Sequence, residues 1–266
     1  MNEKALVTES RKHESLRRWG SSEFNRLEQK YGKYLFVPLD VPLIKSNKHN
    51  ELVEFYYQHA KLAERIKEDI AGSMDDTYRA KFLSLNSSDT EADDVWTKTY
   101  KPEFENTFKD LFDQIYEYLP IQKDTKISYT IWSTQSPVVM HRDHTSLLDL
   151  PLNFRIKLYD NNPSETLLIK NCLTDGVYQY QKNCLPILLP EETNSWTWNN
   201  ARIVHGSIYN PSYKKMLMIL EDLKIDWIKY ETLLEKSLIK YKDHILIDNT
   251  YQHYDYFNKE YYEQQR

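Results

Sequence analysis

The residues in this sequence best suited to chemistry are two histidines and an aspartate. His141 and Asp143 lie in "VVMHRDHTSLLDL", and His205 lies in "WNNARIVHGSIYN", each in or beside a β-forming run. Side chains alternate across a strand, so His141 and Asp143 would project to one side, with Arg142 and His144 on the other. Two imidazoles and one carboxylate on a rigid sheet make a facial triad, which leaves positions open on a ferrous ion for a chelating cosubstrate and dioxygen. A plainer reading stays open beside it. An H-x-D with a distant histidine arises often by chance, Asp143 can cap a turn, and the histidines can sit on the surface or bond to backbone.

Basic residues follow close behind. Arg155 and Lys157 alternate with apolar residues in "NFRIKL" and would share a face. A guanidinium in an apolar strand near a metal is costly unless it holds an anion, although a surface ion pair is the simpler alternative. Lys214 and Lys215 open the apolar run "KMLMIL" from opposite faces, so one can enter a barrel while the other meets solvent. Trp196 and Trp198 read first as core, with one of them able to wall a pocket. The doublet Asn199-Asn200 reads as a turn into the strand that carries His205.

These residues need a sheet to hold them. After Pro120 come "KISYTIW", "VVMH", "FRIKLY", "TLLIK", "VYQYQ", "LPILL", "SWTW", "ARIVH" and "KMLMIL", short runs divided by turn-forming residues. So many strands without intervening helices predict an antiparallel sandwich or barrel. Upstream, the spacing of Leu52, Phe55, Tyr56, Leu62, Ala63, Ile66 and Ile70 predicts an amphipathic helix from about Asn50 to Ala71, stopped by Gly72. His59 falls on its apolar face, the place of a boundary histidine with one hydrogen bond. A second helix opens near Pro102, carries Phe104, Phe108, Leu111, Ile115 and Leu119 on one side and ends at Pro120. Each helix has one apolar stripe and should lie against the sheet. The stretch "YLFVPLDVPLI", 34–44, is β-rich but carries Pro38 and Pro42, which predicts an edge strand or an extended crossing segment. Residues 73–100 are polar and acidic and read as a long loop, either a lid or simply solvated. The first thirty or so residues read as short surface helices, and helical texture returns from about Asp226 ahead of a Tyr-rich tail.

The two polar pieces together resemble the Fe(II)/2-oxoglutarate-dependent oxygenases of the double-stranded β-helix fold, most closely their aspartyl/asparaginyl β-hydroxylase-like branch, which includes proline hydroxylases. The resemblance covers roughly residues 104–222. It rests on Leu119-Pro120 closing a helix, on "HRDH" followed by "NFRIKL", and on "WTWNNARIVHGSIYNPSYKKMLMIL". It implies a mainly β fold with flanking helices, a jelly-roll, cupin-like barrel, in which His141, Asp143 and His205 ligate Fe(II). It also implies 2-oxoglutarate as cosubstrate, its far carboxylate paired with the basic residue ten positions past the distal histidine, here Lys215. The family usually has arginine there, and lysine replaces a bidentate fork with a single ammonium charge. Arg155 is implied to grip a carboxylate of cosubstrate or substrate, with Lys157 the weaker candidate. Asn210 matches the family's asparagine after the distal histidine. Retention of Asp143, which halogenating relatives lack, implies hydroxylation with O2.

The remaining features narrow the partner. The 266 residues carry a formal charge of -5 with acids and bases mixed, which offers no electrostatic footprint for nucleic acid or an anionic membrane. No apolar run approaches the roughly 20 residues of a bilayer span, and the first residues lack a signal-peptide core, so a cytoplasmic location is expected. The five glycines form no phosphate-cradling motif, and Cys172 and Cys184 are too few for a disulfide framework. The expected organisation is a single oxygenase domain over 1–225, helical to about 120 and β from about 121, then a C-terminal helix and tail over 226–266. A small-molecule substrate is expected, most simply a free amino acid or derivative. The alternatives are an oxygenase acting on a protein or peptide side chain, and a non-catalytic cupin-like ligand-binding barrel that needs no convergence of His141, Asp143 and His205.

Overall fold

The computed structural model describes residues 22–32, 34–66, 79–86, 101–123, 127–134, 138–141, 152–160, 167–170, 184–187, 189–199, 204–207, 215–221 and 223–247. Its helices are α1 (Ser22–Tyr31), α2 (His49–His59), α3 (Lys101–Thr107), α4 (Lys109–Tyr118) and α5 (Trp227–Lys240). Its strands are β1 (Tyr34–Pro38), β2 (Lys61–Ile66), β3 (Arg79–Asn86), β4 (Ser128–Thr134), β5 (Val138–His141), β6 (Leu152–Asp160), β7 (Leu167–Lys170), β8 (Cys184–Ile187), β9 (Ser195–Asn199), β10 (Val204–Ser207), β11 (Lys215–Glu221) and β12 (Leu246–Ile247). Among the described residues, no helix is long and apolar enough to cross a membrane.

The strands form two antiparallel sheets. The larger has the order β12-β1-β9-β6-β11-β4-β3-β2, and the smaller has the order β5-β10-β7-β8. From β4 onward the chain passes back and forth between them: β4, β6, β9 and β11 belong to the large sheet, and β5, β7, β8 and β10 to the small one. Among the described strands of that stretch, only β7 and β8 are consecutive and paired.

Alternation along the strands of the large sheet sorts its side chains onto two faces. One face carries Tyr129 and Ile131 of β4, Phe154 and Ile156 of β6, and Met216, Met218 and Leu220 of β11, all packed in one core with residues from α1 to α5. Phe104, Phe108, Leu111, Ile115 and Leu119 are each fully buried there, so the stripe read from the sequence is the stripe that packs. Each such side chain contributes roughly 1.5–3 kcal/mol by leaving water. The aromatic rings interlock, with the Phe104 centroid 4.9 Å from Phe108 and 5.5 Å from Phe55. Phe36, Trp196 and Leu217 form a smaller cluster on the opposite face.

Polar contacts of α5 fix the helices to one another. Asp226 caps α5, its carboxylate accepting from the Lys229 N–H at 3.1 Å. From the same turn the Lys229 ammonium reaches the end of α4 and donates to the carbonyls of Glu117 and Leu119 at 2.7 and 2.6 Å. Burial pushes this lysine's pKa down. Farther along α5, Glu231 pairs with Arg26 and Lys30 of α1.

Three expectations are corrected. The helix expected from Asn50 to Ala71 stops at His59, because Ala60 turns to extended backbone (φ -66°, ψ 129°) and Lys61–Ile66 becomes β2. Its helical spacing loses to pairing, since β2 aligns residue for residue with β3, Leu62 opposite Leu83 and Ala63 opposite Phe82. That strand is the second correction: Arg79–Asn86 lies inside the stretch expected to be a loop. Residues 73–78 and 87–100, and with them the lid reading, lie outside the described residues. Third, of the two readings of 34–44 the edge strand fails, for β1 sits between β12 and β9, while 39–44 after it belong to no strand and form a crossing segment. Pro38 is tolerated because it ends the strand, after which the Leu39 N–H resumes pairing with the Ser195 carbonyl at 2.9 Å. The second expected helix divides into α3 and α4 at Phe108 while keeping one apolar side. His59 behaves as a boundary histidine: its Nδ1 lies 2.8 Å from the Phe55 carbonyl and its ring stacks on Phe55 at 4.3 Å.

Candidate metal and cosubstrate site

In the small sheet β10 pairs on one side with β5 and on the other with β7, and His205 is the direct register partner of His141. Directly opposed positions on neighbouring antiparallel strands share a face and are the closest cross-strand pairs in a sheet. On the other side His205 is opposite Ile169. His141 is the last residue of β5, and Asp143 follows two positions later, outside the described residues. His144, Asn200, Asn210 and Lys214 lie outside them too. For His141, His205, Trp198 and Lys215 the description is of backbone register. Among the described residues no group of three His, Cys, Asp or Glu is placed to hold a metal ion, and Asp143 is not one of them.

The basic strand is β6, at the centre of the large sheet between β9 and β11. Its residues Leu152, Phe154 and Ile156 join the helix-side core, which leaves Asn153, Arg155 and Lys157 on the other face. Arg155 is 2% exposed, with Trp196 opposite it on β9 and Ile219 opposite it on β11. Its Nε donates to the Asn153 side-chain carbonyl at 3.3 Å. Trp196 is buried as well, its ring 6.4 Å from Phe36, so it packs as core on the Arg155 face. Lys157 is part-buried and pairs with Asp160 at 2.9 Å. Lys215 begins β11 directly opposite Asp160.

Asn194 is a residue that sequence reasoning passed over. Its amide donates to the Ile44 carbonyl at 2.7 Å and the Lys157 carbonyl at 3.0 Å, while its side-chain oxygen accepts from the Ile44 N–H at 3.0 Å. The Lys157 N–H in turn donates to the Asn194 carbonyl at 2.8 Å. One buried side chain thus fastens the crossing segment after β1 to the strand that carries Arg155 and Lys157. In the sequence it looks like any polar residue of a turn, and nothing local marks it. A cavity of about 20 Å³ lined by Phe24, Leu27, Tyr34, Thr197, Tyr230 and Leu234 lies on the helix side and has room for a water, not for a substrate.

No protein-family model matches the sequence, and no curated protein matches it. Solved structures are similar over most of the chain at low identity. A prolyl hydroxylase from Trichoplax adhaerens, in complex with a hypoxia inducible factor peptide fragment, is 9% identical over 86% of this chain and 96% of its own, with a TM-score of 0.38. A Pseudomonas putida prolyl-4-hydroxylase is 9% identical over 75% of this chain and 98% of its own, with a TM-score of 0.36. The non-heme α-ketoglutarate-dependent epimerase SnoN from nogalamycin biosynthesis is 11% identical over 74% and 79%, with a TM-score of 0.36. At these values the likeness is too distant to carry residues or activity across, and the register of β5 and β10 stands on its own.

Proposed function

We propose that the protein is an Fe(II)/2-oxoglutarate-dependent dioxygenase that hydroxylates an unactivated C–H bond of a small polar substrate, most simply a free amino acid or derivative. The observation that carries this reading is the direct pairing of His141 with His205 across β5 and β10. Asp143 follows His141 at the spacing of an H-x-D pair. The passage of β4 to β11 back and forth between two sheets supports a double-stranded β-helix, since this strand order is what rolls two sheets into a jelly roll.

The donor set fits the ion. Two imidazoles and a carboxylate suit non-heme ferrous iron and leave room for further ligands. His141, Asp143 and His205 are the proposed ligands, and Lys215 is the proposed partner of the cosubstrate's far carboxylate. Arg155, buried on the sheet face away from the helices, is proposed to grip a carboxylate of cosubstrate or substrate, with Lys157 the weaker candidate. The bound ion and O2 would supply the oxidation by which 2-oxoglutarate becomes succinate and carbon dioxide while the substrate carbon gains a hydroxyl. The chain's own part is to hold the reactants in position and keep water out, work for which a rigid central strand and a buried Trp196 are suited.

The experiment is a panel of free amino acids and short peptides incubated with the iron-loaded protein, 2-oxoglutarate and O2. Succinate release matched by a mass gain of one oxygen on an amino acid supports the reading in full. Coupling confined to peptides keeps the reaction and corrects the substrate. A protein that binds no 2-oxoglutarate refutes the reading.

A further inference from the structure

The large sheet extends past the small one on the side of the candidate metal ligands. Consecutive strands β4 and β5, β6 and β7, β8 and β9, and β10 and β11 each put one member in either sheet, and the two orders match: β4-β11-β6-β9 in the large sheet, β5-β10-β7-β8 in the small one. In the small sheet β5, the strand of His141, is the edge among the described strands. In the large sheet β4 is followed by β3 and β2, which have no counterpart among the described strands of the small sheet.

Register fixes what this extension carries. Leu217 shares the Arg155 face with Trp196; it stands opposite Trp132 on β4, Trp132 opposite Ser84 on β3, and Ser84 opposite Lys61 on β2. Alternation then assigns the positions of Arg65, Phe82 and Asn86 to that same face, and those of Leu62, Leu83 and Leu85 to the helix side with Ile131. On the Arg155 face of β2, β3 and β4 the basic positions are Lys61 and Arg65, and none is acidic, although the chain has 40 acidic residues against 35 basic ones. Cations beside hydroxyl, amide and aromatic residues are the chemistry that recognises an organic acid.

We propose that this extension is the distal part of the substrate site, where Lys61 and Arg65 bind a carboxylate of the substrate. This rests on the dioxygenase reading and sharpens it. Neighbouring strands lie about 4.8 Å apart, so β2 stands about 10 Å beyond β4. A free amino acid is too short to bridge that span and also reach the ligands' strand. The extension therefore selects an amino-acid derivative whose second carboxylate lies about 10 Å from the carbon oxidised.

The test is steady-state turnover by the full-length Fe(II)-loaded protein with 2-oxoglutarate and O2, read as succinate release and gain of one oxygen. The probes are free amino acids, their N-glutaryl derivatives, and the same derivatives with the terminal carboxylate replaced by its amide. At least one glutaryl probe is expected to have a kcat/KM about tenfold or more above both its amide and its parent amino acid, the worth of a hydrogen bond to a charged group. Lys61→Met and Arg65→Met should each raise KM for that probe about tenfold with kcat kept, and leave turnover of the amide and binding of 2-oxoglutarate unchanged. Added salt should narrow the acid-to-amide ratio of the parent, a measurement that stands should neither variant fold. The proposal is overturned if amino acids or amides are turned over as well as the glutaryl probes, if the variants weaken all probes alike, if salt leaves the ratio unmoved, or if 2-oxoglutarate binds and no glutaryl probe couples. A protein that binds no 2-oxoglutarate overturns the dioxygenase reading together with this inference, whereas coupled turnover of free amino acids alone overturns the inference and leaves the reading standing.

Discussion

Asn194→Ala removes a side chain that makes three hydrogen bonds to backbone, two buried ones to Ile44 and a part-buried one to the Lys157 carbonyl. Asn194 is 9% exposed and Ile44 is fully buried, so water cannot readily replace what is lost. A typical bond of this kind is worth about 1 kcal/mol net, and a buried group left without a partner costs about 1–3 kcal/mol. The loss should therefore be about 3 kcal/mol. With a urea slope near the upper end of the usual range, about 3 kcal/mol/M for a chain of this size, the midpoint should fall by about 1 M at unchanged slope. Asn194→Asp is the sharper variant. It keeps the acceptor for the Ile44 N–H but sets carboxylate oxygen where an amide donates to two carbonyls, so it should be at least as destabilising as the alanine. Equilibrium urea unfolding followed by circular dichroism reads both. A loss below about 1 kcal/mol for the alanine variant, or a milder loss for the aspartate, would show that this fastening does not hold the strands as described.

Acid stability should depend on the clasp between α1 and α5. Hydrogen bonds from Arg26 and Lys30 hold the Glu231 carboxyl down at about 2, and a depressed carboxyl adds stability above its unfolded pKa of about 4.3 that disappears as pH falls toward 2. Glu231→Gln should therefore flatten the stability profile across that window and converge with the parent at its acid end, as urea midpoints measured against pH will show. In the core, Phe104→Ala should cost about 3–5 kcal/mol, because a fully buried ring packed against Phe55, Phe108 and Phe112 leaves a cavity its neighbours cannot fill; a urea midpoint within error of the parent would refute it.

The strands that carry the candidate site were legible because each is a short β-rich run closed by turn residues, and each of β4 to β11 overlaps a run read that way, with ends shifted by up to three residues. The run "VYQYQ" lies outside the described residues. The helix bundle was legible from the stripe Phe104, Phe108, Leu111, Ile115, Leu119, which is a local pattern with a period of its own. What failed was non-local. Leu62, Ala63 and Ile66 continue a helical spacing, yet their chain segment pairs with β3, which sits within a polar stretch that advertises no strand. The same limit applies to the site. Spacing alone could set His141 beside Asp143, but nothing local says that residue 205 stands opposite residue 141, since register between strands far apart in sequence is fixed by tertiary pairing. The Lys157–Asp160 pair was invisible for a related reason: it depends on one extra residue in a strand, and a bulge leaves no mark in composition.

The most direct test of the central claim is anaerobic titration of the purified protein with Fe(II) and then 2-oxoglutarate, read by calorimetry and by visible absorption. The account predicts that the parent binds both with a weak visible charge-transfer band, and that His205→Ala and Asp143→Ala lose the band and most of the metal affinity while remaining folded. Binding by either variant as tight as the parent's, with the band intact, would contradict it.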